Sequence, residues 1–230
     1  MKKIKFNHVV GILALAGVLT GCGSSSDGTP AVQTYELTVS NLTHNQPLSP
    51  LAVLVHSEQT HLWSIGSAAS VALEDLAEGG SNAALLALQS DDLEGSTSGQ
   101  GLIMPGANET VTLSISSSVS DAYLSLVTML VNTNDGFSGV TGFEVSDLSV
   151  GASRALTLPV YDAGTESNNE LSNTIPGQMG EGFNAERLDS NKVSRHPGVV
   201  GDDDGYADSV LTSSHKFDNP AASLTITRLN

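Results

Sequence analysis

The sequence has one cysteine, few aromatic residues and very few basic ones. Cys22 is the only cysteine, which excludes an internal disulfide and a cysteine-built zinc centre. Lys and Arg number 9 against 25 Asp and Glu, a formal charge of −16, which argues against binding nucleic acid through its phosphates. Aromatics make up 4% of the chain, and Trp63 and Tyr123 read as core anchors rather than ligand platforms. The five histidines after residue 22, His44, His56, His61, His196 and His215, are scattered without zinc-like spacing. What remains is 230 residues, 39% hydrophobic and only 15% charged, enough for one domain plus extensions. Abundant Gly, Ser, Thr and Asn suit β-structure with many loops better than disorder.

The first residues form a unit of their own. Lys2, Lys3 and Lys5 precede the apolar run Val9–Leu19, eleven residues long. As a helix this run would rise about 16 Å, against about 30 Å of bilayer hydrocarbon, so it reads as a secretory signal and not a permanent span. Leu19, Thr20, Gly21 and Cys22 close it and resemble the bacterial lipobox, in which the cysteine is acylated and becomes the mature amino terminus. The resemblance implies a signal peptide over 1–21, palmitate-type lipidation at Cys22 and a membrane partner through that anchor. Three acyl chains make such anchoring effectively permanent. Gly23 in place of Asp after the cysteine implies the outer membrane, by similarity to envelope lipoproteins. Residues 22–33 lack apolar periodicity and read as a flexible tether, with the folded domain over 34–230.

Loss of the signal leaves 6 basic and 25 acidic residues, a formal −19. Between Cys22 and Ser153 there is no Lys or Arg, yet fourteen acidic residues lie there. None of them has a cationic side chain within that stretch. Either the surface is generally acidic, or some carboxylates converge on a cation.

Strand patterns occur at 35–39, 51–55, 109–115, 123–131, 143–145, 155–160 and 223–229, by alternation or short apolar runs. Helical spacing appears at 68–77, stopped by Gly79 and Gly80, and again at 82–88. Residues 95–101 read as a Ser/Gly loop. Nearly sixty residues from Tyr161 to Pro220 show no convincing element, unusual within a domain unless the segment is functional or hides short elements near Val199 and Leu211. Strands separated by turn-rich loops, without βαβ alternation, give an all-β antiparallel sandwich with short helical insertions.

Two loops carry the candidate chemistry. Asn132 to Phe137, with Asp135 inside, follows the strand ending at Val131. Tyr161 to Glu170, with Asp162, Glu166, Asn168 and Glu170, follows the strand ending at Val160. If those strands are neighbours, the loops meet at one end of the sandwich and offer the oxygen ligands that Ca²⁺ requires, with Gly136 and Gly164 turning the backbone. Ordinary Asp-Gly and Asn-rich turns account for the same spacing.

The run Asn134, Asp135, Gly136, Phe137, Ser138, Gly139, followed after a strand by Tyr161, Asp162, Ala163, Gly164, Thr165, Glu166, resembles the spondin amino-terminal domain family. His196-Pro-Gly and the closing stretch 219–228 resemble its tail. The resemblance implies a C2-like antiparallel sandwich with Asp135, Asp162 and Glu166 as calcium ligands; Asn168 and Glu170 are weaker candidates. Gly136 stands before the aromatic residue, where family members usually place Trp directly after the Asp. Glu166 stands where Asp is common, and the family's disulfide cysteines are absent. The acidic run Asp202, Asp203, Asp204 with Asp208 fails the EF-hand register, which would put Val200 first and Leu211 twelfth, and reads as a solvated loop rather than a second calcium site.

The resulting expectation is an exported, lipid-anchored, calcium-binding adhesion or interaction module with a protein or glycan partner, and not an enzyme. The alternatives are a calcium-dependent hydrolase or lyase using the same carboxylates, and a domain docking to lipid through bridging calcium.

Overall fold

The structure, a computed structural model, describes residues 31–230. The expected signal peptide, Cys22 and most of the tether lie outside the described residues. The strands are β1 Val32–Asn41, β2 Ala52–His56, β3 Leu93–Ser98, β4 Asn108–Ser116, β5 Tyr123–Met129, β6 Gly136–Glu144, β7 Ser153–Leu158, β8 Val160–Asp162, β9 Ser194–Arg195 and β10 Ala222–Arg228. They pair antiparallel into two sheets, in the orders β4-β1-β10-β7 and β3-β2-β5-β6-β8-β9. This is the expected all-β sandwich.

The two sheets differ in covering, and their sequences differ accordingly. β1 alternates buried with half-buried residues and β4 mostly buried with exposed ones, because one face of their sheet packs on the core and the other is turned toward solvent. β2 is buried throughout and β5 nearly so. Their sheet faces the sandwich core on one side and two helices on the other, α1 Val71–Gly79 and α2 Ala83–Leu86. Between the sheets lie Leu37, Val39, Val53, Val55, Leu113, Leu124, Leu126 and Leu224. Under the helices, Leu73, Leu76 and Leu85 pack on Leu54, Val127, Met129 and Phe137. The Ser70 hydroxyl caps α1 by accepting from the Leu73 N–H at 3.2 Å. Gly80, at φ 70°, ends it by donating to the Leu76 carbonyl.

Several elements depart from the sequence pattern. β1 starts at Val32, two residues before the expected boundary, because Gln33 is bound into the fold. Its amide donates to the Val119 carbonyl and its carbonyl oxygen accepts from the Tyr35 hydroxyl. The Ser/Gly stretch at 95–101 is largely β3, an edge strand held by its backbone against β2, with Ala52 opposite Ser98. Tyr123 is half-exposed rather than a core anchor. The pattern over 155–160 is two strands: Pro159, which has no N–H to donate, separates β7 in one sheet from β8 in the other. The long segment after Tyr161 contains β9, three short 3₁₀ turns and a small core of Ile175, Val199 and Leu211.

The register places the loops. Asn41 lies opposite Ala222, and Ala222 opposite Leu158, so β1 and β7 end at one pole, where β10 begins. β8 continues from β7 toward this pole. Leu48, just past β1, bridges Leu130, just past β5. The loops after β5 and after β8 therefore open together. The chain enters at the opposite pole, where Val32 pairs with Ser116.

Candidate metal centre

β6 brings the two acidic loops together. The sequence pattern left its first residues in the loop after Val131, yet pairing begins at Gly136, opposite Asp162. β5 and β8 are thus not neighbours; β6 lies between them. Asp135 immediately precedes β6 and Asp162 ends β8, which puts the two side by side, and the Ala163 N–H donates to the Asp135 carbonyl at 3.2 Å. Gly136 is required here: a β-carbon would meet Thr133 Oγ1 at 2.5 Å and the His196 ring at 3.0 Å. Gly164 turns at φ 69°, and a β-carbon on it would run into the Lys192 backbone.

Asp135 is fully buried. Its Oδ2 accepts from the Thr165 N–H at 2.8 Å, the Glu166 N–H at 3.1 Å and the Thr165 hydroxyl at 3.3 Å. Its Oδ1 has no hydrogen-bond partner. Burial, followed by the charge of Asp162, pushes the Asp135 carboxyl up to about 7 against the opposing N–H bonds. Asp162, 4% exposed, accepts from the Gly164 N–H at 2.7 Å and the Asn168 amide at 2.6 Å. Burial raises its pKa as well. Glu166 is half-buried. Burial, followed by the charges of Glu78 and Asp135, pushes it up to about 8.

Of the weaker candidates, Asn168 is a partner of Asp162. Glu170, buried at φ 50°, serves the long segment instead. Its carboxylate accepts from the Val200 N–H at 3.2 Å, its carbonyl from the Val210 N–H and its own N–H donates to Asn134 Oδ1. Asp202, Asp203, Asp204 and Asp208 are exposed, as a solvated loop should be. Asp203 accepts from the Ser213 N–H, and Asp204 accepts from the Gly201 N–H and pairs with Lys216. His196 is a buried neutral imidazole: burial lowers its pKa to about 4, and Nδ1 accepts from the Gly198 N–H.

Sequence reasoning missed two contributors. Thr165 supplies Asp135 with both its N–H and its hydroxyl. Glu78, near the end of α1, is 2% exposed and raises Glu166. No local pattern marks Glu78, since its neighbours here lie more than eighty residues further on. The aromatic floor is Trp63, Phe137 and Tyr161, with ring centroids 5.1 to 5.5 Å apart, and the Arg195 guanidinium lies 4.5 Å over Tyr161.

What would bear on a hard cation is narrower than a ligand shell: Asp135 stands next to the paired Gly136 and Asp162, and its buried Oδ1 has no hydrogen-bond partner. The carboxylates are within electrostatic reach of one another without forming a closed shell. Among the described residues, no three His, Cys, Asp or Glu side chains are grouped to hold a metal ion as they stand. Both Asp162 oxygens are turned to its own loop.

Two antiparallel sheets, with two short helices on one of them, define the class, an all-β sandwich domain. Within that class the chain belongs to the Spondin_N family, whose model matches residues 38–182, more than half of the chain and all of Glu78, Asp135, Asp162 and Glu166. This is not a family of enzymes, and membership points to an extracellular interaction module. The matched region ends before His196-Pro-Gly and the closing stretch 219–228. No curated protein is significantly similar to the chain.

Proposed function

We propose that the chain is an exported, lipid-anchored interaction module whose partner-binding pole is ordered by one calcium ion held by Asp135, Asp162 and Glu166. The observation that carries this reading is Asp135: a carboxylate at zero exposure, beside a second buried carboxylate, with one oxygen free of any hydrogen bond. Burying uncompensated charge is costly, and proteins relieve it by pairing or by metal. When bound, calcium supplies the positive charge that the three carboxylates lack. The chain's own residues do the rest: the Thr165 and Glu166 N–H groups fix Asp135, and Gly164 turns the Asp162 loop back toward it. The Leu188 N–H, bonded to the Thr165 carbonyl at 2.8 Å, ties the following strap to the site.

The poles bear on the partner. An anchor at Cys22 leads into the fold at Val32, the pole opposite the acidic loops. The nine peptide units from Cys22 to Ala31 span at most about 30 Å, roughly the length of β1 itself. That arrangement favours presenting the loops away from the anchoring membrane, to a protein or glycan, over docking them on its lipid. The test is the melting temperature in chelator and in millimolar calcium. Calcium should raise it, because only the folded site gathers the ligands; equal values would end the calcium reading.

A further inference from the structure

Away from the acidic loops, the connection between β3 and β4 builds a cleft. A side chain closes its base: the Gln100 N–H donates to Glu109 Oε1 at 2.5 Å. Backbone bonds tie its middle to the body. Ile103 and Leu48 exchange N–H bonds at 2.9 and 3.0 Å, the Asn41 N–H donates to the Ala107 carbonyl, and the Gly106 N–H donates to the Asn41 carbonyl. Held in this way, successive side chains alternate in direction. Ile103 is buried at 3% exposure, while Leu102 and Met104 on either side of it stand out at 55% and 54%. Together with Ala107 and Glu109 they line a cleft of about 360 Å³.

Glu109 is a carboxylate without a cation. Among the described residues it takes part in no ion pair, and no Lys or Arg occurs between Cys22 and Ser153. Its Oε2 is buried without a hydrogen-bond partner, seated over Gly99, where a β-carbon would come within 2.7 Å of it. Uncompensated charge of this kind is costly, and a neighbouring cation offsets the cost. Apolar walls beside one carboxylate suit a group with an aliphatic stem and a positive end. Oε1 is already taken by Gln100, so the two parallel bonds of a guanidinium have no free pair of oxygens, whereas an ammonium needs only the charge. No aromatic ring lines the cleft for a sugar to stack on.

The cleft lies at the loop pole. Asn108 pairs with Ser40 at the end of β1, and Leu48 bridges both Ile103 and Leu130. We propose that it receives a lysine side chain of a protein partner, with the stem against Leu102 and Met104 and the ammonium beside the Glu109 carboxylate. This rests on the reading of the loop pole as the partner-binding end and is independent of calcium, since Glu109 is not among the residues assigned to that ion.

The test follows backbone amide resonances of the nitrogen-labelled full-length chain in detergent and excess EDTA. Three probes are titrated to millimolar concentrations: Nα-acetyl-lysine amide, Nα-acetyl-norleucine amide, which has an aliphatic chain without the charge, and N-acetylglucosamine. The lysine probe should shift the amides of residues 100–109 to saturation, the norleucine probe should bind more weakly, and the sugar should leave them unmoved. Glu109→Gln keeps an oxygen for the Gln100 N–H and so keeps the loop. It should weaken the lysine probe by more than twofold, on the order of fivefold, with resonances elsewhere unchanged. Leu102→Ser, at an exposed position, should weaken it too. Equal affinity for lysine and norleucine, lysine affinity within twofold of the parent in Glu109→Gln, absence of saturable shifts, or equal shifts with the sugar would each overturn the proposal. A melting temperature still raised by calcium would then leave the calcium reading standing.

Discussion

Replacing Asp135 by asparagine should make the calcium-free protein more stable at pH 8 and unresponsive to calcium. A carboxyl whose folded pKa lies above its unfolded value binds a proton on folding. Its penalty is absent below the unfolded value near 4, accumulates as pH rises, and is complete above the folded value. For Asp135 that window runs from about 4 to about 7. At about 1.4 kcal/mol per pH unit, three units set a ceiling of about 4 kcal/mol, of which the charge of Asp162 is the smaller cause beside burial. For a domain of this size a kilocalorie moves Tm by about 2–4 °C, so the ceiling is on the order of 10 °C. Asparagine keeps an oxygen for the Thr165 and Glu166 N–H groups and replaces the unpartnered Oδ1 with an uncharged NH₂. Circular-dichroism melts in excess EDTA at pH 5 and pH 8 read the effect. The parent should melt lower at pH 8, the variant should lose much of that difference, and millimolar calcium should restore the parent alone. A variant that melts below the parent at pH 8 in EDTA would refute the argument from buried charge.

Other perturbations test the fold and the anchor. Arg187→Ala strands the buried Glu74 carboxylate and should cost about 3–5 kcal/mol in urea unfolding, far above an exposed pair. Phe137→Ala empties the space between Trp63 and Tyr161 and should cost about 3–5 kcal/mol; calorimetric calcium titration should also show weaker binding, since Phe137 is two residues from Asp135. Cys22→Ser should abolish labelling by radioactive palmitate and move the chain from the membrane to the soluble fraction.

The sequence pattern was readable where side chains carry it. β1, β4 and β10 alternate, β2 and β5 are apolar runs, and α1 has both a cap and a Gly stop. The pattern fails where backbone does the work. Four of the six residues of β3 are Gly95, Ser96, Thr97 and Ser98, and Gly95 permits the close approach of Leu113 and Ile115. β6 is interrupted by Gly139 and Gly142, and a β-carbon at Gly139 would strike the Leu126 carbonyl. The acidic motifs pointed to two loops that the fold brings side by side, but the strand that joins them was the one hidden by its glycines. Asp135 and Asp162 meet across β6 and β8, not across the two apolar strands that precede their loops. Glu78 was beyond reach because its one hydrogen bond comes from the Asn184 N–H, 106 residues further on.

A crystal structure of the full chain grown in millimolar calcium tests the central claim most directly. The account predicts one ion with oxygens of Asp135, Asp162 and Glu166 at about 2.3–2.6 Å. A structure in which these side chains point to separate environments, with no ion between them, would contradict it and return the two loops to ordinary turns.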